Sequence, residues 1–224
     1  MKENIKEFII KNLKWIILFI CLIGFLALAE DVFNKEIMKG DIIGYQMIST
    51  FLISDFATPI AKFITNFGGA IFLIVTTGIL FILIRNKKIG VAITANLVLV
   101  TILNQLLKNI LQRPRPTEYR IIQETGYSFP SGHSMVSMAF YGYLVYLIYK
   151  YVENKNIKWI LITLLSILIC SIGVSRIYLG VHYTSDVLGG FLISISYLVI
   201  YISAINKFLL DNEEVDSWIE KLNK

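Results

Sequence analysis

The only two histidines of this 224-residue chain, His133 and His182, fall in two of three short polar clusters. The clusters read KNILQRPRP from Lys108 to Pro116, PSGH from Pro130 to His133, and SRIYLGVHYTSD from Ser175 to Asp186. Asp186 is the only carboxylate between Glu153 and Asp211, and it follows His182 by four residues. An imidazole attacks electrophiles and moves protons near neutral pH. A carboxylate on one of its ring nitrogens selects the tautomer that leaves the other nitrogen free. Lys108, Arg115 and Arg176 add fixed positive charge to the same clusters, which is what a transferring phosphoryl group needs. The residue types therefore point to chemistry on a phosphate.

Each cluster also has a plainer reading. Lys108 and Arg115 are seven residues apart, so an unbroken helix would present both to one anion, two turns apart. Single cations at the end of an apolar helix also snorkel to lipid headgroups. Pro114 and Pro116 stop the helix and fix the backbone beside Arg115. Ser131 is a natural N-cap and Gly132 lets a ligand come close to the backbone. The free amides of that first turn and the helix dipole make an anion site beside which His133 projects. The alternative is an ordinary capped helix with an interfacial histidine. His182 and Asp186, at i and i+4, meet on one face if their stretch is helical. This spacing favours His182 as the attacking group, since an oriented nucleophile needs such a partner. Residue spacing alone does not decide between the two imidazoles.

The elements that must position these groups are apolar. The chain is 56% hydrophobic and 17% charged, with a mean hydropathy of +0.67, whereas a soluble domain carries about 25% charged residues. Charge-poor runs recur at 15–29, 68–84, 89–107, 135–149, 159–174 and 187–205. A bilayer core needs about 20 apolar helical residues. Strand alternation is absent, so helices satisfy the backbone inside lipid. The expected fold is all-α: one polytopic membrane domain over residues 1–224, with six transmembrane helices and its motif core at 108–186. The first span is read as uncleaved, although lysines, an apolar run and Ala27-Leu28-Ala29 also resemble a signal peptide. Between spans one and two, Ile48, Leu52, Phe56, Ile60, Phe63 and Phe67 recur at three- and four-residue steps. This predicts an amphipathic helix, lying on the membrane interface or packed on the other spans, with Pro59 as a candidate kink.

The net charge of +5 would suggest nucleic acid only if its placement were ignored. Thirteen of the 21 Lys and Arg lie at the N-terminus, in the turns at 85–88 and 150–158, and from Lys207 onward. The positive-inside rule makes these segments cytoplasmic. Of the remaining eight, five lie in or beside the motifs: Lys108, Arg113, Arg115, Arg120 and Arg176. The motifs are thereby placed outside the cytoplasm. The acidic tail from Asp211 reads as a solvated cytoplasmic surface. Cys21 and Cys170 lie in apolar runs and are expected as buried thiols. No metal site follows from these cysteines and histidines.

Taken together, the clusters resemble the signature of the type 2 phosphatidic acid phosphatase superfamily, which includes membrane lipid phosphatases and vanadium haloperoxidases. That signature is K-x6-R-P, P-S-G-H and S-R-x5-H-x3-D. This chain has Lys108-x6-Arg115-Pro116, Pro130-Ser131-Gly132-His133 and Ser175-Arg176-x5-His182-x3-Asp186. The resemblance implies His182 as a nucleophile that forms a phosphohistidine, Asp186 as its orienting acid and His133 as the proton donor to the leaving group. It implies Lys108, Arg115, Arg176, Ser131 and Gly132 as the phosphate-binding set, with no metal or cofactor. The implied activity is hydrolysis of lipid phosphates or pyrophosphates in a bacterial cell membrane. Undecaprenyl pyrophosphate and phosphatidylglycerophosphate lead, and phosphatidic acid follows. A phosphoryl transferase on the same scaffold is the alternative. Arg113, Tyr119, Arg120, Glu124 and Tyr127 lie near these motifs. They could tune headgroup choice, but no motif decodes them, and surface or structural roles are the favoured reading for each.

Overall fold

The computed structural model describes residues 2–35 and 38–210. These residues form eight α-helices and a terminal π-helical turn, with no strand among them. The acidic tail from Asp211 lies outside the described residues. In chain order the helices are α1 (Lys2–Phe33), α2 (Lys39–Phe51), α3 (Ala57–Asn66), α4 (Ala70–Leu83), α5 (Lys87–Leu111), α6 (Gly132–Tyr151), α7 (Lys155–Tyr178) and α8 (Thr184–Ile205).

The last four helices form an antiparallel bundle because the turns between them are punctuated as the sequence suggests. Asn86 caps α5 by accepting from the Lys88 amide at 3.0 Å. Asn154 caps α7 by accepting from the amides of Asn156 and Ile157 at 3.0 and 3.1 Å. At the opposite end α5 stops at Leu111, where Gln112 turns left-handed at φ 46°. One end of the bundle thus collects the C-termini of α5 and α7 and the N-termini of α6 and α8. All three motifs lie there. The turns carrying Arg85, Lys87, Lys88, Lys155 and Lys158 lie at the other end.

The surface is that of a membrane protein. Along α4, Ile71, Ile74, Ile79, Ile82 and Leu83 are all more than half exposed, a run of bare aliphatic side chains that suits lipid and not water. Four helices are long and apolar enough to cross a bilayer: 12–33 within α1, then α5, α7, and α8 with its π-helical extension. A fifth candidate is α3 joined to α4, bent by 50° at the break between them. Six spans were expected. The helix that does not qualify by composition is α6, which carries His133, Ser134, Ser137 and five tyrosines. It is packed by α5, α7 and α8, so little of its circumference has to suit lipid.

The segment between α1 and α4 departs from the expected single amphipathic helix. It is two helices, α2 and α3, broken at residues 52–56. Pro59 lies inside the first turn of α3, where its missing amide leaves no helical bond unmade. The face of α3 that packs inward carries Ala61 and Thr65, while Phe56, Ile60 and Phe63 are exposed. Cys21 is buried as expected, but Cys170 is exposed. It lies on the apolar outer surface of α7 beside Ile167 and Val174, where a thiol is as compatible with lipid as with a core.

Candidate active site

Two helix ends bring the third motif together. α7 closes in a Schellman arrangement: the Gly180 amide donates to the Ile177 carbonyl at 2.9 Å and the Val181 amide to the Arg176 carbonyl at 3.3 Å. Gly180 has φ +68°, and a Cβ there would lie 2.1 Å from the Tyr119 carbonyl oxygen. Only glycine fits this turn. The turn sends His182 back over Arg176. α8 then opens with a capping box in which the Tyr183 amide donates to Asp186 Oδ2 at 2.8 Å. His182 and Asp186 therefore meet through a cap and not along a helix face, as their spacing had suggested. Their contact is Nδ1 to Oδ2 at 3.2 Å. Ser128 also donates its hydroxyl to Asp186 Oδ2. Both members of the pair are buried, Asp186 completely.

Lys108 and Arg115 reach the site separately, because the helix ends between them. Lys108, in the last turn of α5, donates to the carbonyls of Tyr127 and Ser128. Arg115 lies in the following loop. Its Nε donates to the Gly126 carbonyl at 3.0 Å and its Nη2 to the Thr125 carbonyl at 3.0 Å. Its Nη1 donates to the Val181 carbonyl at 3.1 Å and faces His182 Nε2 at 3.1 Å. A guanidinium has no acceptor, so this contact assigns the Nε2 lone pair toward Arg115 and the ring proton to Nδ1, toward Asp186. Burial pushes the His182 imidazole down to about 4, although the Asp186 hydrogen bond pulls the other way. The ring is neutral at ordinary pH, with its free nitrogen aimed at the cations.

Arg176 is 1% exposed. Its Nη1 donates to Thr65 Oγ1 of α3 at 2.7 Å and its Nη2 to Glu124 Oε1 at 2.6 Å. Its Nε has no protein partner among the described residues. Ser131 caps α6, its Oγ accepting from the Ser134 amide at 3.4 Å. A Cβ on Gly132 would meet Asn104 Oδ1 at 3.2 Å, so this residue's smallness lets α6 begin against the motif-bearing turn of α5. His133 is half-buried beside Gly68 and lies within electrostatic reach of His182, Arg176, Arg115 and Lys108. All eight residues singled out from the motifs gather at this end of the bundle.

Three groups take roles that the motifs do not assign, and only Asp41 among them is not singled out by the sequence. Glu124 holds Arg176, and although burial pushes its carboxyl up, the Arg176 hydrogen bond and the charges of Arg176 and Arg115 hold it below the usual carboxylate range. Nothing in the sequence separates it from Glu118, six residues earlier, which is exposed. Arg113 is no surface cation: it is buried between Asp41 and Asp186. Asp41, on α2, is 5% exposed and sits far from every motif in sequence. Tyr119 and Arg120 take supporting roles. Tyr119 is exposed and stacks on Tyr45 at 4.9 Å, while Arg120 donates to the Pro116 carbonyl.

Fold and site define a helical membrane protein with a buried histidine–carboxylate pair among clustered cations at one end of its bundle. The sequence pattern of the PAP2 superfamily matches residues 89–209, more than half of the chain, and the chain belongs to that superfamily. It is 29% identical over 174 residues to phosphatidylglycerophosphatase B of Bacillus subtilis (strain 168), covering 75% of this chain and 84% of the relative. It is 28% identical over 180 residues to an undecaprenyl-diphosphatase of Sulfolobus acidocaldarius, covering 77% and 79%. The crystal structure of a transmembrane PAP2-type phosphatidylglycerolphosphate phosphatase from Bacillus subtilis superposes with a TM-score of 0.73 at 25% identity, over 85% of this chain and 96% of the other. The protein is a membrane phosphatase.

Proposed function

We propose that this phosphatase hydrolyses lipid phosphates or pyrophosphates through a phosphohistidine on His182. The observation that carries the reading is the ring geometry: Nδ1 is held by Asp186 at 3.2 Å while Nε2 faces Arg115 at 3.1 Å. A phosphoryl group drawn in by Arg115, Arg176, Lys108 and the amides opening α6 would meet that lone pair. His182 Nε2 attacks phosphorus as the bond to the lipid oxygen breaks, and the departing oxygen takes the proton that His133 carries once the bound phosphate's negative charge offsets the cations around it. Water then attacks the phosphorus of the phosphohistidine and gives its proton back to His133. Phosphate leaves and His182 recovers its lone pair. Positioning and charge stabilisation supply most of the catalysis in such transfers, and three cations with a helix N-terminus provide both.

The substrates that fit are those acted on by the named relatives, a polyprenyl diphosphate or phosphatidylglycerophosphate, with phosphatidic acid beside them. The protein in detergent, assayed with EDTA present, is expected to release inorganic phosphate from at least one of these lipids. Phosphate release that requires an added divalent cation would overturn the metal-independent reading. Transfer to a supplied lipid acceptor without free phosphate would make the protein a transferase.

We place the site on the extracytoplasmic face of a bacterial cell membrane, with α6 as the sixth span and both termini in the cytoplasm. The basic turns at the far end of the bundle support this orientation. The exposed Ile60 and Phe63 of α3, with Phe56 just before it, suit the lipid interface above the site. In a background free of Cys21 and Cys170, a cysteine at Thr117 is expected to react with an impermeant thiol reagent in intact cells, and one at Arg85 is not. Labelling at Arg85 alone would invert the topology.

A further inference from the structure

One buried network reaches the His182–Asp186 pair through Arg113 and Ser185, which lie within the clusters but at positions the signature leaves open, and through Asp41, which lies outside them. Asp186 Oδ2 accepts from Tyr183, Ser128 and His182. Its other oxygen, Oδ1, accepts from Arg113 Nη1 at 2.7 Å. The second arm of that guanidinium, Nη2, donates to Asp41 Oδ2 at 2.7 Å. Ser185 closes the ring: its amide donates to Asp41 Oδ1 at 2.8 Å, its hydroxyl lies 2.9 Å from Asp41 Oδ2, and Arg113 Nη1 reaches the same hydroxyl at 2.7 Å. The Tyr183 ring lies 4.1 Å from the guanidinium carbon. Arg113, Asp41, Ser185 and Asp186 are all less than 10% exposed.

Two carboxylates share one cation in this network. A buried ion pair rarely stabilises a fold more than apolar packing would, so the arrangement calls for another use. Asp41 lies on α2, outside the 89–209 segment that carries the family pattern. We propose that Asp41 and Arg113 are positioning residues for the phosphatase reaction. They fix Asp186 at the angle that bonds His182 Nδ1–H, and by dividing one guanidinium between two carboxylates they set how strongly Asp186 attracts that proton. The inference rests on His182 as the nucleophile.

The consequence is a pair of opposite pH effects. The charged and titratable groups that bear on the His182–Asp186 pair are Arg176 from α7, Lys108 from α5, His133 from α6, Arg115, Arg113, Glu124 and Tyr183 from the loops, and, through Arg113, Asp41 from α2. Burial holds His182 at about 4, so its reactive neutral form persists well below the ordinary imidazole value and is lost as pH falls through the shifted one. Asp41→Asn keeps the side-chain shape but gives the whole cation to Asp186, which then attracts the His182 proton less. Protonation of His182 becomes harder and the acid limb of kcat/KM moves to lower pH. Arg113→Gln removes the cation, Asp186 attracts the proton more, and the limb moves to higher pH. Shifts of up to about one pH unit are expected, because Arg113 and Asp41 act on His182 through Asp186 and not in contact with the ring.

The test is the acid limb of kcat/KM, measured on the full-length protein in detergent with one lipid phosphate, for wild type and both variants. Substrate ionisation is common to all three, so differences between them report the enzyme. Opposite displacements carry the proposal. Loss of activity in both with the limb unmoved would make the network a structural brace and overturn it. If Arg113→Gln does not fold, Arg113→Lys takes its place: it keeps the charge but loses the fork, so about tenfold lower kcat with an unmoved limb, beside a lowered limb in Asp41→Asn, carries the proposal. An unmoved limb in Asp41→Asn overturns it. His182→Ala tests the nucleophile separately, so either failure is identified on its own.

Discussion

His182→Ala is expected to lower phosphate release by about 10⁴-fold or more, the scale on which loss of a nucleophile removes catalysis in other hydrolases. The reason lies in how little else in the pocket can attack. The three cations have no lone pair to offer when protonated, and Asp186 is wholly enclosed by its four donors. The carboxylate that orients an imidazole is on His182, and no ion pair of His133 with a carboxylate is seen among the described residues. The substitution also leaves Asp186 buried without its ring partner, yet Arg113, Ser128 and the Tyr183 amide still hold it, so the fold should survive. Wild type quenched during turnover of a ³²P-labelled lipid is expected to carry acid-labile, alkali-stable label, the behaviour of a phosphorus–nitrogen bond, and His182→Ala none. A variant that kept wild-type rates, or kept the label, would refute the assignment.

The second large effect is expected at Arg176. Its guanidinium is pinned by Thr65 and Glu124 with Nε left over, so the donor that remains is already oriented. Such preorganised charge acts most strongly where water is excluded. Removing one donor of this kind costs about 10²–10³ in rate, or ~2.7–4 kcal/mol. Arg176→Gln should therefore reduce kcat/KM by about that factor, with kcat carrying most of the loss because the charge acts on the transition state. Arg176→Lys should recover only part of it. A single ammonium has no fork with which to hold Thr65 and Glu124 while meeting a phosphoryl oxygen. The Glu124 carboxyl, relieved of its main partner, should titrate at higher pH in Arg176→Gln. Steady-state kinetics of the two variants decide the matter. Equal activity of lysine and arginine would mean that bulk charge alone is needed.

The site was legible to different depths. The three motifs named eight residues, and the structure brings them to one end of the bundle. Their convergence follows from antiparallel helices: motifs at the end of one span and the start of the next must share a face of the membrane. The manner of contact was not legible. Seven-residue spacing put Lys108 and Arg115 on one helix face while Pro114 and Pro116 signalled a stop before Arg115, and the structure takes the stop, at the left-handed Gln112. Four-residue spacing suggested a helical face for His182 and Asp186, but the pair forms across a helix cap.

What the sequence determined by itself is local: where apolar runs end, which residues cap or break them, and which side chains can carry protons or charge. These depend on neighbours within a few positions, and so periodicity and turn chemistry report them. What only the tertiary structure decided is pairing across distance. Asp41 meets Arg113, Glu124 meets Arg176, and Thr65 crosses from α3 because α2 and α3 fold over the motif-bearing end. A lone Asp or Glu in a loop has the same local signature whether it faces solvent or a buried guanidinium. The energy that separates those two fates comes from desolvation and charge pairing, which exist only once the helices have packed.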